Sequence, residues 1–187
     1  MRVVALVCLT VAVVFGQSAG AWLDTPPRQW NRAGGPTPRA PRVDRDEIPK
    51  MCYANRPVPK TAEERAVARV GWMLFATQQD GHGVVLVRAA ANFDGMCRPD
   101  AYQDFVFVGG KFAGTLSPQP MNARSDGSSS TVSFPQAGRI TAQFSRYVSQ
   151  DPLCCPSRVS TAEYSIATRA GQPVVTLQGV MTRATKP

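Results

Sequence analysis

Cysteine is the residue type best placed to do chemistry in this chain. There are five: Cys8, Cys52, Cys97, Cys154 and Cys155. Cys8 lies in an apolar N-terminal run, which leaves an even set of four. In an exported chain such a set reads as disulfides. Four thiolates could also hold a tetrahedral zinc ion, but the C-x₂-C knuckles that build such sites are absent. Adjacent Cα atoms lie about 3.8 Å apart, and an unstrained disulfide wants about 4.4–6.8 Å. Pro152 and Pro156 predict a rigid extended turn that points successive side chains opposite ways. The expectation is that Cys154 and Cys155 bond separately to Cys52 and Cys97, in either order.

Acid–base chemistry has few candidates. His82 is the single histidine, and it sits between Gly81 and Gly83 in a turn. No Ser-His-Asp or Cys-His pattern surrounds it, and a multi-histidine metal site is impossible. Asp80, Asp94, Asp100, Asp104, Asp126 and Asp151 could supply a carboxylate pair for hydrolysis. Most lie beside Gly or Pro, where Asp builds turns. Asp-x-Asp calcium loops are absent. Gly109-Gly110-Lys111 suggests a phosphate loop, but Phe105 and Phe112 stand where its Gly and Ser/Thr belong. Cofactors are therefore not expected. Arg65, Arg69 and Trp72 share one side of a predicted helix. An aromatic framed by two arginines could stack on a sugar or grip an anion; alternatively, a neighbouring segment covers it.

The elements that would position these residues follow from periodicity. Thr61-Ala62-Glu63-Glu64 is a capping box that opens a helix, and its glutamates complement the positive end of the helix dipole. Val67, Val70 and Leu74 form its apolar face, and the Asp80-Gly81-His82-Gly83 turn is expected to end it. Strands are predicted at 84–87, 105–108, 111–116, 131–134, 139–148, 163–169 and 174–182. Gly109-Gly110 is a tight hairpin loop, and 122–130 reads as a mobile loop. The expected fold class is α+β: one N-terminal helix packed on a curved antiparallel sheet of about seven strands, stapled by disulfides.

The N-terminus decides the compartment. Met1-Arg2 precedes an apolar run at 3–15, which is the length of a signal-peptide core and too short to span a bilayer. Ala19-Gly20-Ala21 fits a cleavage site before Trp22. Three segments are expected: a signal peptide at 1–21, a Pro/Arg-rich tether at 22–50 and an α+β domain at 51–187. In the tether, six prolines remove amide donors and fix φ, so extended or disordered chain is expected. Trp22 and Trp30 are unusual there and could dock onto the domain. No segment after the signal peptide is apolar enough to cross a membrane. The formal net charge of +8 is spread without a run of three basic residues. It suits an anionic envelope surface better than nucleic acid.

Three stretches carry a family resemblance: Asp94-Gly95-Met96-Cys97-Arg98-Pro99, residues 105–118 (FVFVGGKFAGTLSP) with Met121 and Asp126-Gly127, and Asp151-Pro152-Leu153-Cys154-Cys155-Pro156-Ser157. In that order they resemble the LppP/LprE family of bacterial envelope lipoproteins, over roughly residues 50–185. The resemblance implies export and an envelope location; it implies no reaction. The chain departs from the lipoprotein pattern in having no cysteine directly after its apolar run. The functional expectation is a non-catalytic exported module that binds an envelope component, whether protein, glycan or anionic surface. The alternative is a small extracytoplasmic hydrolase that uses Asp carboxylates. A redox role for Cys154-Cys155 ranks last, because exchange proteins use C-x-x-C.

Overall fold

The computed structural model describes residues 21–44, 50–54, 56–152 and 154–185. The expected signal peptide, apart from Ala21, lies outside the described residues. Eight strands form two four-stranded antiparallel meanders. The first holds β1 (Met73–Gln79), β2 (Val84–Phe93), β3 (Pro99–Val108) and β4 (Lys111–Thr115). The second holds β5 (Ser128–Ser133), β6 (Arg139–Arg146), β7 (Arg158–Arg169) and β8 (Gln172–Ala184). This corrects the expected single curved sheet of about seven strands. The break has a local cause. Pro118 and Pro120 follow β4, and proline cannot donate to a ladder. The chain leaves the first sheet there, keeping only the Tyr102–Met121 bridge, and starts the second at Ser128.

The two sheets pack face to face. Leu86, Tyr102 and Val106 from the first meet Ile140, Phe144, Tyr164 and Val175 from the second in one continuous core. The first sheet is apolar on its other face as well. There Val87, Ala89, Phe105 and Phe107 pack with Val67, Trp72 and Leu74 in a second core. Two helices are described, α1 (Lys50–Ala54) and α2 (Ala62–Arg69), and α2 contributes Val67 to that second core. The resulting layers are helix, sheet and sheet, and the fold is mostly strand.

The capping box opens α2 as the sequence dictates. The Glu64 amide donates to Thr61 Oγ1 at 3.2 Å, and the Thr61 amide donates to Glu64 Oε2 at 3.0 Å. The helix stops earlier than expected, at Arg69. Gly71 follows with φ +98°, the left-handed conformation that ends helices and favours glycine. Residues 73–79 then form β1, the strand that periodicity assigned to the helix.

Residues 21–44 contain a short 3₁₀ turn, Ala21–Asp24, and otherwise neither helix nor strand, in keeping with their prolines. They nevertheless lie against the domain as a strap. Leu23 is buried in the main core, with Trp22 and Trp30 packed against it. Ala40 and Val43 cover the second core.

The cysteine pairing also differs from expectation. Cys52 bonds to Cys97, and Cys154 bonds to Cys155. Cys52 in α1 comes within 5.2 Å (Cα to Cα) of Cys97 in the β2–β3 connection. Cys154 and Cys155 lie in the β6–β7 connection of the other sheet. Each bond therefore stays within its own half of the molecule. Non-reducing peptide mapping is expected to give a Cys52–Cys97 cross-linked pair and a separate peptide holding oxidised Cys154 and Cys155. The Cys52–Cys97 bond spans 45 residues, and replacing both cysteines by Ala is expected to cost about 4 kcal/mol on chain-entropy grounds. A link from either half to the other would contradict this topology.

Candidate functional site

The site is built by the strap at the seam where β4 and β8, the free edges of the two sheets, run side by side. Free edges carry unpaired backbone groups that must be covered. Asn31 covers them. Its Nδ2 donates to the Thr115 carbonyl at 2.9 Å and to the Val175 carbonyl at 3.1 Å. Its Oδ1 accepts from the Thr115 amide at 2.9 Å. One side-chain amide thus does the work of a missing strand. Gly114 makes the approach possible, because a Cβ there would lie 2.3 Å from Asn31 Cγ. The neighbouring residues continue the stitch. Trp30 Nε1 donates to the Thr115 carbonyl at 3.1 Å, and Gln29 Nε2 donates to the Leu177 carbonyl at 3.2 Å. At the far end of the strap, Asp24 Oδ2 lies 2.6 Å from Arg146 NH2. Arg146 is buried between the sheets, so the strap supplies its counter-ion.

Between strap and sheets lies an open groove of about 540 Å³. Its walls include Trp22, Trp30, Arg28, Thr25 and Gln119. The Trp22 ring meets Trp30 edge to face at 5.3 Å and Phe144 at 5.6 Å, which fixes both indoles on the wall. Arg28 has no ion pair among the described residues. The sequence singled out these tryptophans but gave no sign of the groove, whose far wall comes from residues 118, 119 and 177.

Arg65, Arg69 and Trp72 are not brought together as an open face. Trp72 follows the end of α2 rather than continuing it, and it is 3% exposed. Its Nε1 donates to the Pro38 carbonyl at 2.8 Å, and its ring packs on Phe105. The strap covers it. Arg65 is exposed and donates to the Lys60 carbonyl. His82 is exposed in its turn, where its backbone amide donates to Asp80 Oδ1.

The aspartates are occupied by the fold. Asp80 caps its turn through the His82 and Val84 amides. Asp94 accepts from the Met96 and Arg98 amides and pairs with the Arg98 guanidinium. Asp100 and Asp126 both bond Asn122, at the π-turn Ala123–Gly127. That turn replaces the mobile loop expected at 122–130. Asp104 pairs with Arg88 Nε at 3.0 Å between the sheets. Its Oδ2 and the nearby Ser129 hydroxyl are buried without partners. Burial, with a contribution from Asp104, pushes the Tyr102 and Tyr164 hydroxyls well above their ordinary value. They stay protonated and donate to the Gly127 and Leu116 carbonyls. Among the described residues no cluster of three or more His, Cys, Asp or Glu is placed to hold a metal ion.

With this geometry in place, the chain can be set beside known proteins. Residues 83–168 match the LppP/LprE lipoprotein family. The match bears out the family resemblance, and all three motif stretches that carried it fall inside those residues. It runs from β2 to β7 and so takes in three strands of each sheet, while β1, β8 and the strap lie outside it. An LppP/LprE match points to an envelope protein of unknown function. No curated protein and no solved structure matches the chain. No helix among the described residues is long and apolar enough to cross a membrane.

The LppP/LprE motif Asp151–Ser157 has a clear local role for its acid. Asp151 Oδ2 accepts from the Ser157 amide at 2.9 Å, the Val148 amide at 2.8 Å and the Ser157 hydroxyl at 3.0 Å. The Ser157 and Val148 amides are the main reasons its carboxyl lies below the ordinary value of 3.8. A depressed carboxyl stabilises the folded loop above its ordinary value, and that stabilisation is lost as pH falls through the lower folded value. The protection of the Val148 and Ser157 amides, taken relative to the intrinsic exchange rate at each pH, is therefore expected to hold at pH 4 and to fall as the pH is lowered further. In Asp151→Asn both amides are expected to exchange faster throughout, without that acid transition. A wild-type loop whose protection shows no such transition would contradict the role.

Proposed function

We propose that this is a non-catalytic module exported to the cell envelope, which binds an envelope component through the strap groove. The observation that carries the reading is the pair of indoles fixed beside Arg28 in an open hollow of about 540 Å³. Ligand sites are typically concave, about 300–1,000 Å³ in volume, and lined by aromatic groups with a few polar ones. The carboxylates add support. Each of the six that could have served a hydrolase bonds a backbone amide, an asparagine or an arginine that shapes the fold, and none of them lines the groove. That distribution favours binding over hydrolysis. The family match favours an envelope location. The apolar segment at 3–15 and the Ala19-Gly20-Ala21 site favour export with cleavage before Trp22.

Cosedimentation tests this. The exported chain beginning at Trp22 is mixed with the envelope fraction of the producing cells and centrifuged. It is expected to pellet with the envelope. Thr25→Trp, which fills the groove from an exposed rim position, is expected to pellet at least several-fold less while keeping its circular dichroism. Wild-type protein left in the supernatant, or equal pelleting of Thr25→Trp, would overturn the reading.

A further inference from the structure

We propose that the ligand of the strap groove is a carboxylated sugar. This rests on the binding reading above and adds the chemical class. Charge is the first reason. Arg28 is the one charged side chain in the described lining. The nearest acid in sequence, Asp24, is held by Arg146. A guanidinium is a planar fork that matches a carboxylate through two parallel hydrogen bonds. Cleavage before Trp22 would add an α-ammonium at the rim, because Ala21 and Trp22 both line the groove.

The second reason is shape. Indole rings offer flat apolar surface, which suits the C–H face of a pyranose. A hollow of about 540 Å³ accommodates one or two such rings. Thr25 and Gln119 add hydroxyl and amide groups to read sugar hydroxyls.

Two-dimensional ¹H–¹⁵N NMR provides the test, because the three indole N–H groups report separately. The exported chain is titrated with digalacturonate and, in parallel, with the neutral disaccharide galactobiose. Digalacturonate is expected to shift the Trp22 and Trp30 indole signals. The Trp72 signal, held by Pro38, is expected to stay in place. Galactobiose is expected to bind at least ten-fold more weakly, and Arg28→Gln is expected to weaken digalacturonate binding by at least ten-fold. Equal affinity for the two sugars, or an Arg28→Gln variant that binds digalacturonate like wild type, would overturn the carboxylate assignment. Absence of any Trp22 or Trp30 shift at millimolar sugar, with envelope cosedimentation intact, would overturn the ligand class and leave the binding reading standing. Loss of both sugar binding and cosedimentation would overturn the binding reading itself.

Discussion

One side-chain amide, that of Asn31, bonds both β4 and β8 across the seam between the sheets. Neither sheet closes on itself, and β4 and β8 would otherwise present unpaired backbone to each other across a seam. Asn31 meets the Thr115 amide and carbonyl on one side and the Val175 carbonyl on the other. A carboxamide suits this role because it carries both a donor and an acceptor in one plane. An aspartate at the same place would offer only acceptors, to a seam that presents two carbonyls. Thr115 is buried, so the amide and carbonyl that Asn31 meets would be costly to leave unmet.

The strap's position explains other features. Arg146 is buried between the sheets at a cost that only a partner offsets, and Asp24 of the strap is that partner. The Trp72 ring is sealed by Pro38. The groove lies beside the strap, whose residues 24–29 are exposed while Leu23 is buried in the core and Trp22 packs against Phe144. Groove and fold are thus made by the same segment.

Local features were legible in the sequence, and long-range ones were not. The capping box at Thr61, the Gly109-Gly110 hairpin and the sheet-rich second half follow from short-range rules and stand in the structure. The helix overran because its apolar spacing continues through Leu74, and Gly71, whose left-handed φ ends it, carried the decisive signal. Trp72 followed that error to the wrong face. The single-sheet expectation failed at Pro118 and Pro120, two prolines that mark where the first ladder must end. The disulfide expectation rests on the spacing of adjacent Cα atoms and on the turn that Pro152 and Pro156 predict; which cysteines approach one another is set by the topology that keeps each pair in one half. The groove was illegible for the same reason. Asn31 meets partners 84 and 144 residues away, and nothing in the composition of a proline-rich segment reveals them.

The strap's role rests on Asn31, and amide hydrogen exchange at Thr115 examines it most directly. In the wild-type protein the Thr115 amide, bonded to Asn31 Oδ1, is expected to exchange as slowly as the interior amides of β3. In Asn31→Ala it is expected to exchange about 10–100-fold faster, in line with the loss of a buried hydrogen bond worth 1–3 kcal/mol. The amides of β6 and β7, away from the seam, are expected to keep their wild-type rates. Unchanged exchange at Thr115 in Asn31→Ala, with the fold intact, would contradict the claim that this residue closes the seam between β4 and β8.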